Sequence, residues 1–124
     1  MLTIEQNDAL GNIVNSSWGR SSDDTYKCKV LMEGDRLKMT YSTMAYFASE
    51  RAMSAQTRRL TEESNDRIVE FVDVVKSQFK ESTGSGLKLE KVDDRDSLEL
   101  VNASSLNPRK VCIFRRNVVF KISN

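Results

Sequence analysis

The chain contains no histidine, and this absence excludes more chemistry than any other feature of its composition. Histidine is the usual general base near neutral pH and the usual partner of a catalytic serine or cysteine. Its absence removes Ser-His-Asp and Cys-His arrangements, together with zinc sites that use imidazole ligands.

Cysteine and proline are also scarce, with two cysteines and one proline among 124 residues. Two thiols cannot complete a zinc site of four cysteines. Cys28 and Cys112 each lie on an apolar strand face of the predicted sheet, so we interpret them as buried, unreactive side chains. The glycine-containing segment 82–86 lacks the lysine of a phosphate-binding P-loop. We therefore expect a protein that is not an enzyme and carries neither a cofactor nor a metal.

Long apolar runs are missing, because no stretch reaches the roughly 18 residues that a membrane span requires. The first residues show neither the basic nor the apolar region of a signal peptide. Nineteen Lys+Arg and eighteen Asp+Glu leave a net charge of +1, so no overall field attracts nucleic acid or an anionic membrane. We expect no membrane partner, no signal-peptide secretion, and a cytoplasmic location or incorporation into a particle.

The apolar residues that are present follow two periods. Residues 3–16 fit a short helix with a weak capping box from Thr3 and Gln6. Residues 25–32 and 36–44 alternate strictly, and Gly34 between them is suited to a tight turn. The side chains that this hairpin should turn inward are Tyr26, Cys28, Val30, Met32, Leu37, Met39 and Tyr41.

Residues 48–82 have the helical period, which predicts one long helix that ends at the glycines, although Thr61 could instead cap a second helix after a break near residue 60. After the glycines we expect short strands, with a turn over residues 93–96. Residues 110–122 are either a hairpin that turns at 115–117 or one long strand. In the long strand the inward side chains are Cys112, Phe114, Val118, Phe120 and Ile122.

These elements predict a single α+β domain over residues 1–124. Residues 1–24 form the N-terminal helix and a loop, and residues 25–124 form the α+β core. The sheet is small and antiparallel, and it combines the N-terminal hairpin with the C-terminal strands. The long central helix packs on it.

Acidic residues suggest two candidate sites, and we interpret both as structural features without a ligand. The first is the acidic stretch Glu62, Glu63, Asp66, Glu70 and Asp73. Spacings of four and three place all of these except Glu63 near one face of the long helix, where paired carboxylates can bind a cation. We interpret them as a solvated side opposite the apolar stripe. The second is residues 93–96, within which Asp94-Arg95-Asp96 faintly resembles the start of a calcium loop. The required glycine and terminal glutamate are missing, so we interpret the stretch as a turn between strands.

Basic residues supply the candidate interaction sites. The first half of the long helix is basic, whereas residues 61–75 are acidic, and a helix divided in this way can pair with copies of itself. The C-terminal segment 107–124 has basic residues, interleaved phenylalanines and no acid. The candidate residues are Arg51, Arg58, Arg59, Arg109, Lys110, Arg115, Arg116 and Lys121.

The function predicted from these features is that of a structural or protein-interaction subunit of a larger assembly. Its partners would be protein subunits, either copies of the chain or other proteins. A virion or a phage tail or neck is one setting of this type. The alternative is a nucleic-acid-binding protein that uses the basic C-terminal strands, since such strands can hold phosphates while aromatic rings stack on bases.

Overall fold

Within residues 1–17, 26–47, 50–102 and 110–124, which the computed structural model describes, the chain forms two helices and one antiparallel sheet. In chain order the elements are α1 (Ile4–Ser17), β1 (Tyr26–Glu33), β2 (Arg36–Phe47), α2 (Glu50–Thr83), β3 (Lys88–Asn102) and β4 (Lys110–Ser123). The four strands follow the order β1-β2-β4-β3, so that β4, the last strand of the chain, is central. The predicted α+β architecture is confirmed.

The N-terminal helix α1 begins with the capping box that its sequence predicts. The backbone N–H of Gln6 donates to Thr3 Oγ1 over 3.1 Å, and the N–H of Thr3 donates to Gln6 Oε1 over 3.0 Å. These reciprocal bonds satisfy two of the backbone donors that a helix start leaves unpaired. Leu10, Ile13 and Val14 are buried, which fixes the side of α1 that faces the rest of the molecule.

Helix α2 is continuous over 34 residues, which corresponds to about 51 Å. The alternative of a break near residue 60 does not occur, and Thr61 caps no second helix. Thr57 donates to the carbonyl of Met53, and Thr61 donates to that of Thr57. The helix ends where Gly84 adopts a φ of 72° and its N–H donates to the Lys80 carbonyl.

Both helices cover the same face of the sheet, which we call the inner face, and the core there consists of two apolar clusters. The first cluster includes Leu10, Val14, Leu37, Met39, Phe71, Val75, Phe79, Val118 and Phe120. The second lies at the other end of the strands and consists of Tyr41, Ala45, Phe47, Leu60, Cys112 and Phe114. The predicted inward positions of β2 are thus confirmed, while Cys28, Val30 and Met32 of β1 are partly buried against the first cluster. The side chain of Tyr26 is not among those described.

The C-terminal half of the sheet is simpler than predicted. The prediction of a turn over residues 93–96 is wrong, since β3 runs unbroken through these residues. Its register against β4 shifts between Lys91 and Asp93 and again between Leu100 and Asn102, as at β-bulges. Of the two alternatives for residues 110–122, the single long strand is the one formed. Its five predicted inward side chains are all buried.

Replacing Tyr41 by Asp should unfold the protein. Tyr41 is 2% exposed and packs edge-on against Phe114, so the substitution removes a core ring and places an unpaired carboxylate in an apolar cluster. Each effect costs several kcal/mol, against a total stability of about 5–15 kcal/mol for a typical domain.

The matched control is Ser42→Asp, because Ser42 points to the opposite face and lies beside Arg115 in the register. Circular dichroism melting should show a loss of the transition for Tyr41→Asp and a change of under about 1 kcal/mol for Ser42→Asp. Equal melting temperatures for the two variants would contradict the assignment of faces.

Candidate interaction surfaces

A single arginine occupies the boundary between the two apolar clusters. Strand β4 places Arg116 on the inner face between the buried Phe114 and Val118, and its side chain is only 9% exposed. Its Nε donates to Asp94 Oδ1 over 3.0 Å and its Nη2 donates to Asp94 Oδ2 over 2.7 Å. This bidentate pair neutralises the buried charge.

The remaining guanidinium donors reach α2. Arg116 Nη1 donates to the Ser64 hydroxyl over 3.0 Å and to the Thr61 carbonyl over 3.3 Å, and it also bonds Asn65 Oδ1. Ser64 is 0% exposed, and its small side chain leaves room for the guanidinium beneath the helix. The network therefore ties α2, β4 and β3 together at one point, which we call the Arg116 network.

The charges of the network stabilise one another. The hydrogen bonds from Arg116, helped by Lys91 at 3.0 Å, hold the pKa of Asp94 below its ordinary value against the opposing effect of burial. The Asp94 carboxylate in turn raises the pKa of Arg116. Both groups are therefore ionised at neutral pH, and their role in the described structure is to hold three elements in register.

One of the predicted interaction residues is buried. Arg116, which the sequence analysis places among the interaction residues, lies in the interior and is engaged there. Arg115 points to the opposite, outer face, where Nη1 donates to Glu99 Oε2 over 2.6 Å, and Lys121 is exposed on that face. Lys110 begins β4 opposite Phe47, and Arg109 lies outside the described residues.

The other three candidates lie on α2, on its outward side. Arg51, Arg58 and Arg59 are exposed, and Arg59 is 3.7 Å from Glu63 one turn later. The sign of the charge changes twice along this side of the helix. The basic residues up to Arg59 are followed by the acidic section, which comprises Glu62, Glu63, Asp66, Glu70 and Asp73, and then by the exposed Lys76 and Lys80. The acidic residues are all exposed, as the sequence predicts for a solvated side.

The outer face of the sheet is uncovered within the described part of the chain, and sequence analysis did not single it out. The outward positions of β2 and β4 hold four basic side chains, Arg36, Lys38, Arg115 and Lys121. The flanking strands place carboxylates on the same face, so its charge is mixed: these are Glu33, Glu90, Asp93 and Glu99, and Lys38 Nζ is 2.8 Å from Glu33 Oε2. Apolar side chains collect at one end, where Met44 lies opposite Ile113 and Tyr46 lies opposite Val111. Met44 is 48% and Tyr46 55% exposed. The alternation of β2 in the sequence already indicates which of its residues point to this face.

The remaining candidates from the sequence are the two cysteines and residues 93–96. Cys112 is buried, Cys28 is half-buried, both are free thiols, and burial raises the pKa of Cys28. Residues 93–96 belong to β3, not to a loop. Among the described residues, no group of three or more acidic or cysteine side chains is arranged to hold a metal ion.

Neither described helix is apolar enough over a sufficient length to cross a membrane. Compared with known proteins, the chain matches no family model, no curated protein and no solved structure. Its function must therefore be inferred from the surfaces described above.

Arg116→Ala should lower the free energy of unfolding by about 2–4 kcal/mol, because it leaves Asp94 and Ser64 without their main partner. The control is Arg115→Ala, which removes a half-exposed ion pair with Glu99 and should cost under about 1 kcal/mol. Urea denaturation measures both. If the two variants lose the same stability, the Arg116 network does not hold α2, β3 and β4 together.

The Arg116 network should also make the protein sensitive to acid. Since the folded pKa of Asp94 is lowered, its contribution is complete above the unfolded pKa of about 3.9 and is lost as pH falls through the folded value. The stability difference between the wild type and Asp94→Asn should be constant above about pH 5 and shrink below it. Denaturation at several pH values checks this, and a difference that stays unchanged down to the acid limit would refute it.

Proposed function

We propose that the chain is a non-enzymatic structural or protein-interaction subunit of a larger assembly. The observation that carries this proposal is the organisation of its exposed charge. A nearly neutral chain displays a helix whose outward side is divided into basic and acidic sections, together with an outer sheet face of mixed charge that is apolar at one end. Ion pairs on a free surface contribute only about 0–1 kcal/mol each, so such segregation adds little to a monomer. At an interface, the same pattern sets orientation and register.

The residues that we propose for protein contacts are the exposed or half-exposed ones among the sequence candidates, namely Arg51, Arg58, Arg59, Arg115 and Lys121. Arg116 is left out because its guanidinium is committed to Asp94 and α2. A virion or a phage tail or neck is the setting we propose, based on the type of chain alone.

Nucleic-acid binding by the C-terminal strands has less support. Of the five basic residues in the C-terminal segment, Arg116 is interior, so its guanidinium cannot reach a phosphate. Phe114 and Phe120, the aromatic residues that interleave them, are buried in the core and cannot stack on bases.

The size of the native complex tests the proposal. The chain, isolated from its source by a small tag, should elute well above its monomer mass of 14.1 kDa in low salt, and high salt should reduce that size. Nuclease treatment should leave the size unchanged. A monomer under all conditions would overturn the proposal, and a complex that nuclease dissolves would favour the nucleic-acid alternative.

A further inference from the structure

The sheet ends in two edge strands, and they differ in how well they are protected from pairing with another chain. With the strand order β1-β2-β4-β3, the outward edges belong to β1 and β3. Strand β3 shifts its register twice and carries four consecutive charged residues at 93–96, and both features hinder an added strand. Strand β1 pairs with β2 in an unbroken register from Tyr26 to Glu33, without a bulge or a proline. The edge of β1 is therefore the more open of the two.

The hairpin turn determines which backbone groups of β1 point to this edge. Gly34 has a φ of 58°, and no other described residue from Tyr26 to Phe47 has a positive φ, so the turn is the two-residue type with glycine first. In such a turn the flanking pair, Glu33 and Arg36, is hydrogen-bonded, and bonded pairs alternate with non-bonded pairs along the ladder. Residues 28, 30 and 32 therefore direct their N–H and C=O groups away from β2.

No other element of the described chain uses these groups. Among the described residues, β1 has β2 as its one neighbour in the sheet, and no backbone hydrogen bond from a helix or a loop reaches its outward edge. An edge strand with unpaired backbone groups is a template for an added strand.

Apolar side chains flank this edge on both faces of the sheet. On the inner face, Val30 and Met32 are only partly buried against the first cluster, whereas the described inner side chains of β2 and β4 are all buried. On the outer face, Leu31 is 54% exposed between the exposed Lys29 and Glu33. The edge of β1 therefore offers both backbone groups and uncovered apolar surface.

The sequence of β1 is complementary to itself when a second copy runs antiparallel with Leu31 at the centre. In that register Lys29 lies opposite Glu33 of the second copy, and symmetry makes this pair of opposite charges occur twice. Val30 lies opposite Met32 of the second copy, and their outward backbone groups form a hydrogen-bonded pair. The two Leu31 side chains meet at a non-hydrogen-bonded position, where side chains are closest.

Other registers match less well. Every other position of β1 with the parity of Leu31 holds a charged residue, so only the register centred on Leu31 sets that side chain opposite an apolar one. Centring the pair on Lys29 would also place two like charges opposite each other, which is destabilising. In the favoured register Glu33 can serve both partners, because its Oε2 lies 2.8 Å from Lys38 Nζ and its exposed carboxylate has a second oxygen for Lys29 of the second copy.

We propose that two copies of the chain join edge to edge along β1, antiparallel and centred on Leu31. This contact rests on the proposed function and names one of its partners, a second copy of this chain. The same surface serves both copies, so the contact is isologous, with a two-fold axis perpendicular to the sheet. It joins the two sheets into one and places the helices of both copies on the same side.

Disulfide trapping tests the register. Leu31→Cys should form a covalent dimer under mild oxidation, because opposed residues at a non-hydrogen-bonded position have Cα atoms about 4.5 Å apart, within the span of a disulfide. The matched control is Ser42→Cys on the same sheet face, since Ser42 lies four residues beyond Lys38, the neighbour of Leu31 in β2. The wild type, with its free Cys28 and Cys112, gives the background. Non-reducing electrophoresis should show a dimer for Leu31→Cys alone.

A charge exchange tests the same contact in solution, with sedimentation equilibrium as the measurement. Lys29→Glu and Glu33→Lys each place like charges opposite one another, so each should raise the Kd of the dimer at least about tenfold. The double variant restores opposite charges and should return the Kd to within about threefold of the wild type. Both side chains are exposed, so melting curves should show that all three variants fold. The control Lys76→Glu, an equal charge change on an exposed position of α2, should leave the Kd unchanged.

A wild type that stays monomeric at every concentration would overturn the contact. So would a double variant that dimerises no better than the single variants, or equal cross-linking of Leu31→Cys and Ser42→Cys. In each of these cases a native complex with other proteins would leave the proposed function standing, whereas a monomer in the source as well would remove both.

Discussion

The buried guanidinium of Arg116 constrains how the rest of the structure can be assembled. A charge placed between two apolar clusters is tolerated only when its donors are satisfied. Satisfying them requires α2 to pass over β4 with Ser64 and Thr61 at one level, and requires β3 to bring Asp94 to the same level. A break in α2 near residue 60 would displace the acceptors that the helix offers to Arg116, and a turn in β3 near residue 94 would displace its carboxylate partner. The continuous helix and the bulged strand are both consistent with this one requirement.

The elements that sequence reasoning identified correctly are those in which a single period is sustained. The alternation of β1 and β2 and the apolar stripe of α2 reflect one buried face each, and burial is the strongest local signal in a sequence. The C-terminal strands were harder because Asp94 and Asp96 interrupt the apolar alternation of β3. Consecutive polar residues usually indicate a turn, but here Asp94 lies within a strand and is the ion-pair partner of the buried Arg116.

The position of Arg116 is also difficult to predict from the sequence. It has the parity of the inward positions Phe114 and Val118, so the alternation by itself assigns it to the core. Its charge suggests a surface instead, and the two indications disagree until Asp94 is known to be its neighbour. That neighbour is 22 residues away in the chain, and only the three-dimensional pairing of β3 with β4 brings the two together. For the outer sheet face, the alternation of β2 indicates which of its residues point outward, but the residues that share the face with them depend on the pairing of β2 with β4, which no pattern in one strand shows.

The central position of β4 has a consequence for the synthesis of the protein. Of the six elements, β4 is the last to leave the ribosome, yet it pairs with both β2 and β3. Until residues 110–123 have been made, the N-terminal hairpin and β3 share no strand, and the apolar side of α2 has only part of a sheet to cover. Until then, the apolar side of α2 and the edges of β2 and β3 that β4 will pair with are open to aggregation. The core is completed in one late step that depends on contacts distant in sequence.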